Sequence, residues 1–212
     1  MINLFILIII HCFAKQTATL MKNLVIFASG AGSNAENIMC HFNKNGLAKV
    51  AVVFSNKADA GVLQKASKYN IPTVVFTKDE LQSGEVLSEL QKFSPDLIIL
   101  AGFLLKFPAD IIENYPGQII NIHPALLPKY GGKGMYGMNV HRAVAENKDS
   151  ETGITIHYID EHYDEGDIIF QKAVALRGDE TCEEISEKVQ QMEHQFFPEV
   201  IQRIIEQSEN RL

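Results

Sequence analysis

The chain has 212 residues, of which 46% are hydrophobic and 21% are charged, and its formal net charge is −7. This apolar content excludes a disordered chain and is enough for one domain with a proper core. The acidic balance argues against a nucleic-acid partner. The three cysteines form no CxxC pair, which argues against a disulfide scaffold or a zinc ribbon and favours a reducing, cytoplasmic compartment.

The first twenty residues form an apolar extension. Residues 1–20 read MINLFILIIIHCFAKQTATL, and the apolar run from Leu4 to Ile10 is too short to span a bilayer. A secretory signal is the alternative, although the basic first region and a small-x-small cleavage site are missing. We therefore predict that Met21 is the real start, that residues 21–212 form the functional domain, and that the protein has no membrane partner.

From Met21 onward, strand-like and helix-like segments alternate. The predicted strands are, in chain order, 23–29, 49–55, 72–76, 96–100, 118–122, 153–159 and 167–174. The predicted helices are 34–44, 59–69, 79–93, 108–114, 138–146 and 182–207. Repeated βαβ units with nearly continuous apolar strands predict an α/β fold, with a Rossmann-like, mostly parallel sheet and helices on both faces. Ligands of such folds lie at the carboxyl ends of the strands.

A glycine-rich loop follows the first predicted strand. Residues 29–34 read SGAGSN, and glycines followed by a helix N-terminus bind phosphate. No Lys-Ser/Thr pair follows, which excludes a Walker A motif, and residues 54–57 (FSNK) lack the acid that a dinucleotide site carries after its second strand. We predict a mononucleotide-type phosphate site, and the alternative is a turn that binds nothing.

The fifth predicted strand ends in two polar residues. Asn121 and His123 are two apart and therefore share a face, and Pro124 ends the strand. An amide and an imidazole side by side can stabilise one oxyanion, and the histidine can also transfer protons. The alternative is a histidine whose hydrogen bonds are satisfied in the core.

An acidic loop, residues 160–167 (DEHYDEGD), joins the last two predicted strands. A solvated turn is the common meaning of such a run. An EF-hand does not fit, because position twelve, counted from Asp160, is Gln171. A carboxylate here could instead orient a catalytic histidine, but spacing does not choose among Asp160, Asp164 and Asp167.

Metal-ligand spacing is missing from the remaining histidines. His141, His157 and His162 form no HxxxH arrangement, so we expect no metal site.

Five motifs occur in an order that indicates a family: SGAGSN (29–34), FSNKADA (54–60), LAGF (100–103), NIHPALLPKYGG (121–132) and DEGDII (164–169). With them, the chain resembles the phosphoribosylglycinamide formyltransferases, a family of folate-dependent formyltransferases. The resemblance implies transfer of the formyl group of 10-formyltetrahydrofolate, a co-substrate, to the amine of 5'-phosphoribosylglycinamide in de novo purine (IMP) biosynthesis. The alternatives are a formyltetrahydrofolate hydrolase and a non-catalytic folate- or nucleotide-binding module.

The resemblance also implies roles for individual residues. It makes Asn121, His123 and Asp164 catalytic. It assigns substrate phosphate and ribosyl binding to Gly32, Ser33, Asn34 and Glu193. It assigns folate binding to Phe103, Leu104, Leu105, Lys106, Phe107, Asn121, Ile159, Asp160 and Asp164. The expected partners are the two small-molecule substrates, without metal or nucleic acid, and the expected assembly is a monomer or homodimer.

Overall fold

The computed structural model describes residues 21–209, so the predicted extension at residues 1–20 lies outside the described residues. The strands are β1 (Lys22–Phe27), β2 (Ala48–Ser55), β3 (Thr73–Val75), β4 (Leu97–Leu100), β5 (Ile119–His123), β6 (Glu151–Tyr158) and β7 (Ile168–Ala175). The helices are α1 (Ser33–Asn45), α2 (Gly61–Lys68), α3 (Lys78–Gln82), α4 (Glu85–Gln91), α5 (Ala109–Asn114), α6 (Met138–Glu146) and α7 (Cys182–Glu209).

The seven strands form one sheet in the order β3-β2-β1-β4-β5-β6-β7. Strands β1 to β5 are parallel, whereas β6 and β7 are antiparallel to their neighbours. The predicted mostly parallel sheet is confirmed. Strands β2 and β3 follow one another on one side of β1, and strands β4 to β7 follow one another on its other side. This reversal of strand order leaves a crevice at the carboxyl ends of β1 and β4.

Both faces of the sheet are covered, because the strands alternate their apolar side chains. Leu24 and Ile26 of β1 belong to a buried cluster with residues of α1, α2, α6 and α7. Val25 and Phe27 belong to a second cluster with residues of α3, α4 and α5. The period of two along a strand sends successive residues to opposite faces, so one short apolar segment contributes to both cores. Helices on both faces are therefore confirmed.

The predicted helix 79–93 is two helices in the structure. Helix α3 begins with a capping box between Thr77 and Glu80, and α4 begins after Gly84, which has φ 86°. A left-handed residue interrupts a helix, and glycine adopts that conformation without steric cost. Leu81 and Val86 lie on either side of the break and are both buried, so the break lets two short helices pack on the sheet. Within residues 21–209, no helix has the length and apolar character needed to cross a membrane.

Candidate active site

A cavity of about 580 Å³ lies at the carboxyl ends of the central strands. Its walls come from loops 102–107, 132–137 and 159–164 and from one face of α7. Most of the predicted site residues line it: Asn34, Phe103, Leu104, Leu105, Lys106, Phe107, Asn121, His123, Ile159, Asp160, Asp164 and Glu193. Gly32 and Ser33 are the two predicted residues that are not among its lining.

Asn121 is oriented by a histidine on the neighbouring strand. His157 of β6 lies directly opposite Asn121 of β5 in the antiparallel register. The His157 Nδ1 lies 2.9 Å from the carbonyl oxygen of Tyr158, which can only accept, so Nδ1 carries the proton. Nε2 of His157 is then an acceptor, and Asn121 Nδ2 donates to it over 3.2 Å. This bond uses one amide hydrogen and leaves the second available to a ligand in the cavity.

His123 is almost fully buried, with 3% of its surface exposed. Its Nε2 donates to the carbonyl oxygen of Tyr130 over 2.7 Å. Its Nδ1 is therefore the nitrogen left for chemistry, and it lies 3.6 Å from Asp164 Oδ2. Burial lowers the pKa of His123 below its ordinary value, and the Asp164 carboxylate and the Tyr130 carbonyl partly oppose that effect.

Among the three acids that spacing left open, Asp164 lies beside the catalytic candidates. Its Oδ2 accepts from the backbone N–H of Gly132 over 2.9 Å, and its Oδ1 lies 3.6 Å from His157 Nε2. Asp164 has φ 58°, a left-handed conformation that aspartate tolerates better than most residues. Asp160, by contrast, accepts from the backbone N–H of His162 within its own turn.

Two histidines of this site were not predicted from the sequence. His157 is fully buried, and burial lowers its pKa below the ordinary value. His141, on α6, is 5% exposed and lines the cavity, and burial together with the nearby His123 lowers its pKa to about 4. Their spacing in the sequence predicts no role for either of them, and the strand register that pairs His157 with Asn121 is not visible in the sequence.

The glycine-rich loop lies at one end of the cavity. Asn34 Nδ2 donates to Glu193 Oε2 over 2.8 Å, which links the start of α1 to α7. Burial raises the pKa of Glu193, and the hydrogen bond from Asn34 opposes the increase. Ser33 Oγ accepts from Gln190 of α7 over 3.4 Å. Gly32 has φ 71°, and a Cβ there would lie 2.5 Å from Val62 Cβ, so the turn requires glycine.

Loop 102–107 forms an apolar wall of the same cavity. The Phe103 ring contacts the rings of Phe27 and Phe107 at centroid distances of 5.5 and 6.0 Å. Phe107 is buried in the core, whereas Leu104 is 46% exposed at the cavity mouth. Lys106 Nζ lies 5.8 Å from the centre of the Tyr163 ring, which joins this wall to the acidic loop. An aromatic and aliphatic wall of this kind suits a flat heterocycle.

The described residues offer no set of side chains that could bind a metal ion. Within residues 21–209, no group of three or more His, Cys, Asp or Glu side chains could hold a metal ion. What the cavity offers instead is a hydrogen-bond donor from Asn121, an imidazole at His123 and a carboxylate at Asp164.

Comparison with known proteins gives a consistent result. The profile of a family described as formyl transferase matches residues 22–201. The chloroplastic phosphoribosylglycinamide formyltransferase of Vigna unguiculata is 39% identical over 203 residues, which is 93% of this chain and 65% of that protein. The chain thus spans about two thirds of the length of this plant relative.

A bacterial relative and a solved structure are covered more completely. The phosphoribosylglycinamide formyltransferase of Escherichia coli (strain K12) is 36% identical over 186 residues, which is 84% of this chain and 85% of that protein. The crystal structure of phosphoribosylglycinamide formyltransferase from Bacillus halodurans is 32% identical, with a TM-score of 0.80. It covers 89% of this chain, which in turn covers 98% of that structure.

Proposed function

The chain belongs to the formyl transferase family, and we propose that it transfers the formyl group of 10-formyltetrahydrofolate to the amine of 5'-phosphoribosylglycinamide. The relatives from Vigna unguiculata and Escherichia coli carry the name of this activity. The proposed reaction is a step of de novo purine biosynthesis. It consumes two small molecules and places the folate in the role of a co-substrate.

The observation that best supports this proposal is the arrangement of Asn121, His123 and Asp164 in one cavity. His123 Nδ1 lies 3.6 Å from Asp164, and the amide of Asn121 is oriented by His157. An oriented N–H donor beside an imidazole is the arrangement that stabilises the oxyanion of an acyl-transfer reaction. The cavity is lined by Asn34 of the glycine-rich loop as well as by an apolar wall, and its volume of about 580 Å³ offers space for a phosphorylated acceptor and a flat donor together.

In the proposed mechanism, the unprotonated amine attacks the formyl carbon, and the carbonyl electron pair moves onto the oxygen. The free amide hydrogen of Asn121 and a proton on His123 Nδ1 donate to this oxyanion. Asp164 stabilises the protonated imidazole across 3.6 Å. A water near His123 and Asp164 takes a proton from the attacking amine and passes it to N10 of the folate as the bond between N10 and the formyl carbon breaks. Collapse of the oxyanion leaves the formylated amine and tetrahydrofolate.

The binding roles follow the two ends of the cavity. Gly32, Ser33 and Asn34 at the start of α1 bind the phosphate, because a helix N-terminus presents unpaired N–H groups. Glu193 accepts hydrogen bonds from the ribosyl hydroxyls. The folate lies against the wall formed by Phe103, Leu104, Leu105, Lys106, Phe107, Ile159 and Asp160, with Asn121 and Asp164 at its reacting end.

Localisation and assembly belong to the same proposal. We place the protein in the cytoplasm, where its three cysteines would stay reduced, while the plant relatives are named as chloroplastic. We propose a monomer or homodimer that needs neither nucleic acid nor a membrane.

One assay tests this function against its alternatives. The protein is given 10-formyltetrahydrofolate with and without 5'-phosphoribosylglycinamide, and loss of the formyl group is followed. Loss only with the amine supports the transferase, equal loss without it supports a hydrolase, and no loss supports a binding module. Asn121→Ala should lose most of the activity, whereas His41→Ala, whose ring bonds to Gln202 in the α1–α7 interface, should retain it.

A further inference from the structure

The hydroxyl of Ser29 connects the glycine-rich loop to the wall of the cavity. Ser29 is the first residue of the glycine-rich loop that follows β1, and it is 1% exposed. Its Oγ accepts from the backbone N–H of Leu104 over 3.0 Å. It also donates to Asn56 Oδ1 over 2.7 Å. None of these contacts is required by the reaction chemistry proposed above.

The bond to Leu104 continues the ladder between β1 and β4 beyond the ends of both strands. Ala101 N donates to the carbonyl oxygen of Phe27 over 2.9 Å, and Ser29 N donates to the carbonyl oxygen of Gly102 over 3.0 Å. At Leu104, the next N–H donates to a side-chain oxygen instead of a backbone oxygen. This side-chain acceptor lets the chain leave the sheet while the backbone N–H of Leu104 stays hydrogen-bonded. The same bond fixes the position at which the wall loop 102–107 turns away from the sheet.

Asn56 determines which way this hydroxyl points. A serine hydroxyl has one proton, and here the proton is directed at the amide oxygen of Asn56. The lone pairs of Ser29 Oγ are therefore left for Leu104 N. Leu104 is 46% exposed, so its side chain alone does not fix the loop. The wall at Leu104 is therefore anchored by a hydrogen bond to Ser29, just after β1, and the hydroxyl of Ser29 is itself oriented by Asn56, just after β2.

We propose that Ser29, oriented by Asn56, is a positioning residue that sets the wall for the folate co-substrate. This inference rests on the proposed function, because it assigns the wall to the folate. Loss of one hydrogen bond at a buried position weakens an interaction by about 1 kcal/mol, which corresponds to about a fivefold change in an equilibrium constant. Removing the hydroxyl should therefore loosen folate binding without touching the reacting groups.

The test compares Ser29→Ala with Ser55→Ala. Ser55 is a fully buried serine at the end of the neighbouring strand β2, and its hydroxyl bonds to the backbone of Lys57. Calorimetric titration with tetrahydrofolate should give a Kd about 3- to 10-fold higher for Ser29→Ala and within twofold of the wild type for Ser55→Ala. In the formyl-transfer assay, the KM for 10-formyltetrahydrofolate should rise by the same factor, while kcat and the KM for the amine stay within twofold.

Asn56→Ala provides a second variant, should Ser29→Ala fail to fold. It keeps the hydroxyl but removes the group that orients it, so its Kd for tetrahydrofolate should lie between those of the wild type and Ser29→Ala. Equal tetrahydrofolate binding by wild type and Ser29→Ala would overturn the proposal. A parallel increase in the KM of both substrates would also overturn it, because it would show that the whole cavity is loosened and not the folate wall alone. A wild-type protein that binds no tetrahydrofolate refutes the proposed function itself and is thereby distinguished from failure of the positioning role.

Discussion

The substitution Asp164→Asn removes a charge from the site with little change in shape. Asparagine keeps an oxygen that can accept from the N–H of Gly132, so the loop should retain its anchor. What it loses is the negative charge 3.6 Å from both His123 Nδ1 and His157 Nε2. The protonated imidazole that His123 uses in the proposed reaction would therefore no longer face an opposite charge.

The size of this loss follows from the distance. Two unit charges 3.6 Å apart interact by about 4.6 kcal/mol at an effective dielectric constant of about 20. The Asp164 side chain is 12% exposed, and solvent screening reduces the net value to about 2 to 3 kcal/mol. At about 1.4 kcal/mol for each factor of ten, kcat should fall by about 30- to 160-fold. The pKa of His123, already lowered by burial, should fall further because the group that raised it is gone.

Steady-state kinetics and NMR titration of the His123 ring would measure the two effects. Asp167→Asn makes the same charge change on an exposed residue of the same loop and should leave kcat within twofold of the wild type. Circular dichroism would show that both variants are folded. A kcat for Asp164→Asn within threefold of the wild type, or a His123 pKa that does not fall, would show that Asp164 does not stabilise the imidazolium.

Three further predictions concern other residues of the site. His123→Ala should lower kcat by about 10²- to 10³-fold with a native circular dichroism spectrum, and near-normal turnover would remove His123 from the mechanism. Gly32→Ala should lower the free energy of unfolding by about 1 to 3 kcal/mol, because the φ of residue 32 is 71° and the added Cβ would clash with Val62. An unchanged midpoint of urea unfolding would show that the turn relaxes without cost. His141 takes up a proton near pH 6.5 when unfolded but only near pH 4 when folded, so stability should fall by about 3 kcal/mol as pH drops between these values. Urea titrations should show a weaker pH dependence in His141→Gln, and an identical dependence would contradict the assignment.

The fold was largely predictable because its signals are local. Apolar strands alternating with amphipathic helices predicted a mostly parallel sheet covered on both faces, and the sheet has that form. The break at Gly84 was not predicted, because the apolar pattern continues across it from Leu81 to Val86. A single glycine inside a helical pattern is often tolerated, so only the observed φ of 86° shows that the helix stops there.

The site was predictable only where its residues lie on one segment. Asn121 and His123 share a strand face, and that spacing is visible in the sequence. The selection of Asp164 depended on family resemblance, since three acids of one loop were equivalent by spacing alone. His157 is held opposite Asn121 by the pairing of β5 with β6, a contact between residues 36 positions apart. No local pattern encodes that register, so its role emerges only from the assembled sheet.

The shared cavity has a consequence for the order of events in turnover. Asn34 and Glu193 at one end and the wall loop at the other line the same space as Asn121 and His123. Direct attack of one substrate on the other requires both to be present at once, so no product can leave before the second substrate has entered. Initial-velocity plots at several fixed concentrations of the second substrate should therefore intersect, whereas parallel lines would indicate a formylated protein intermediate.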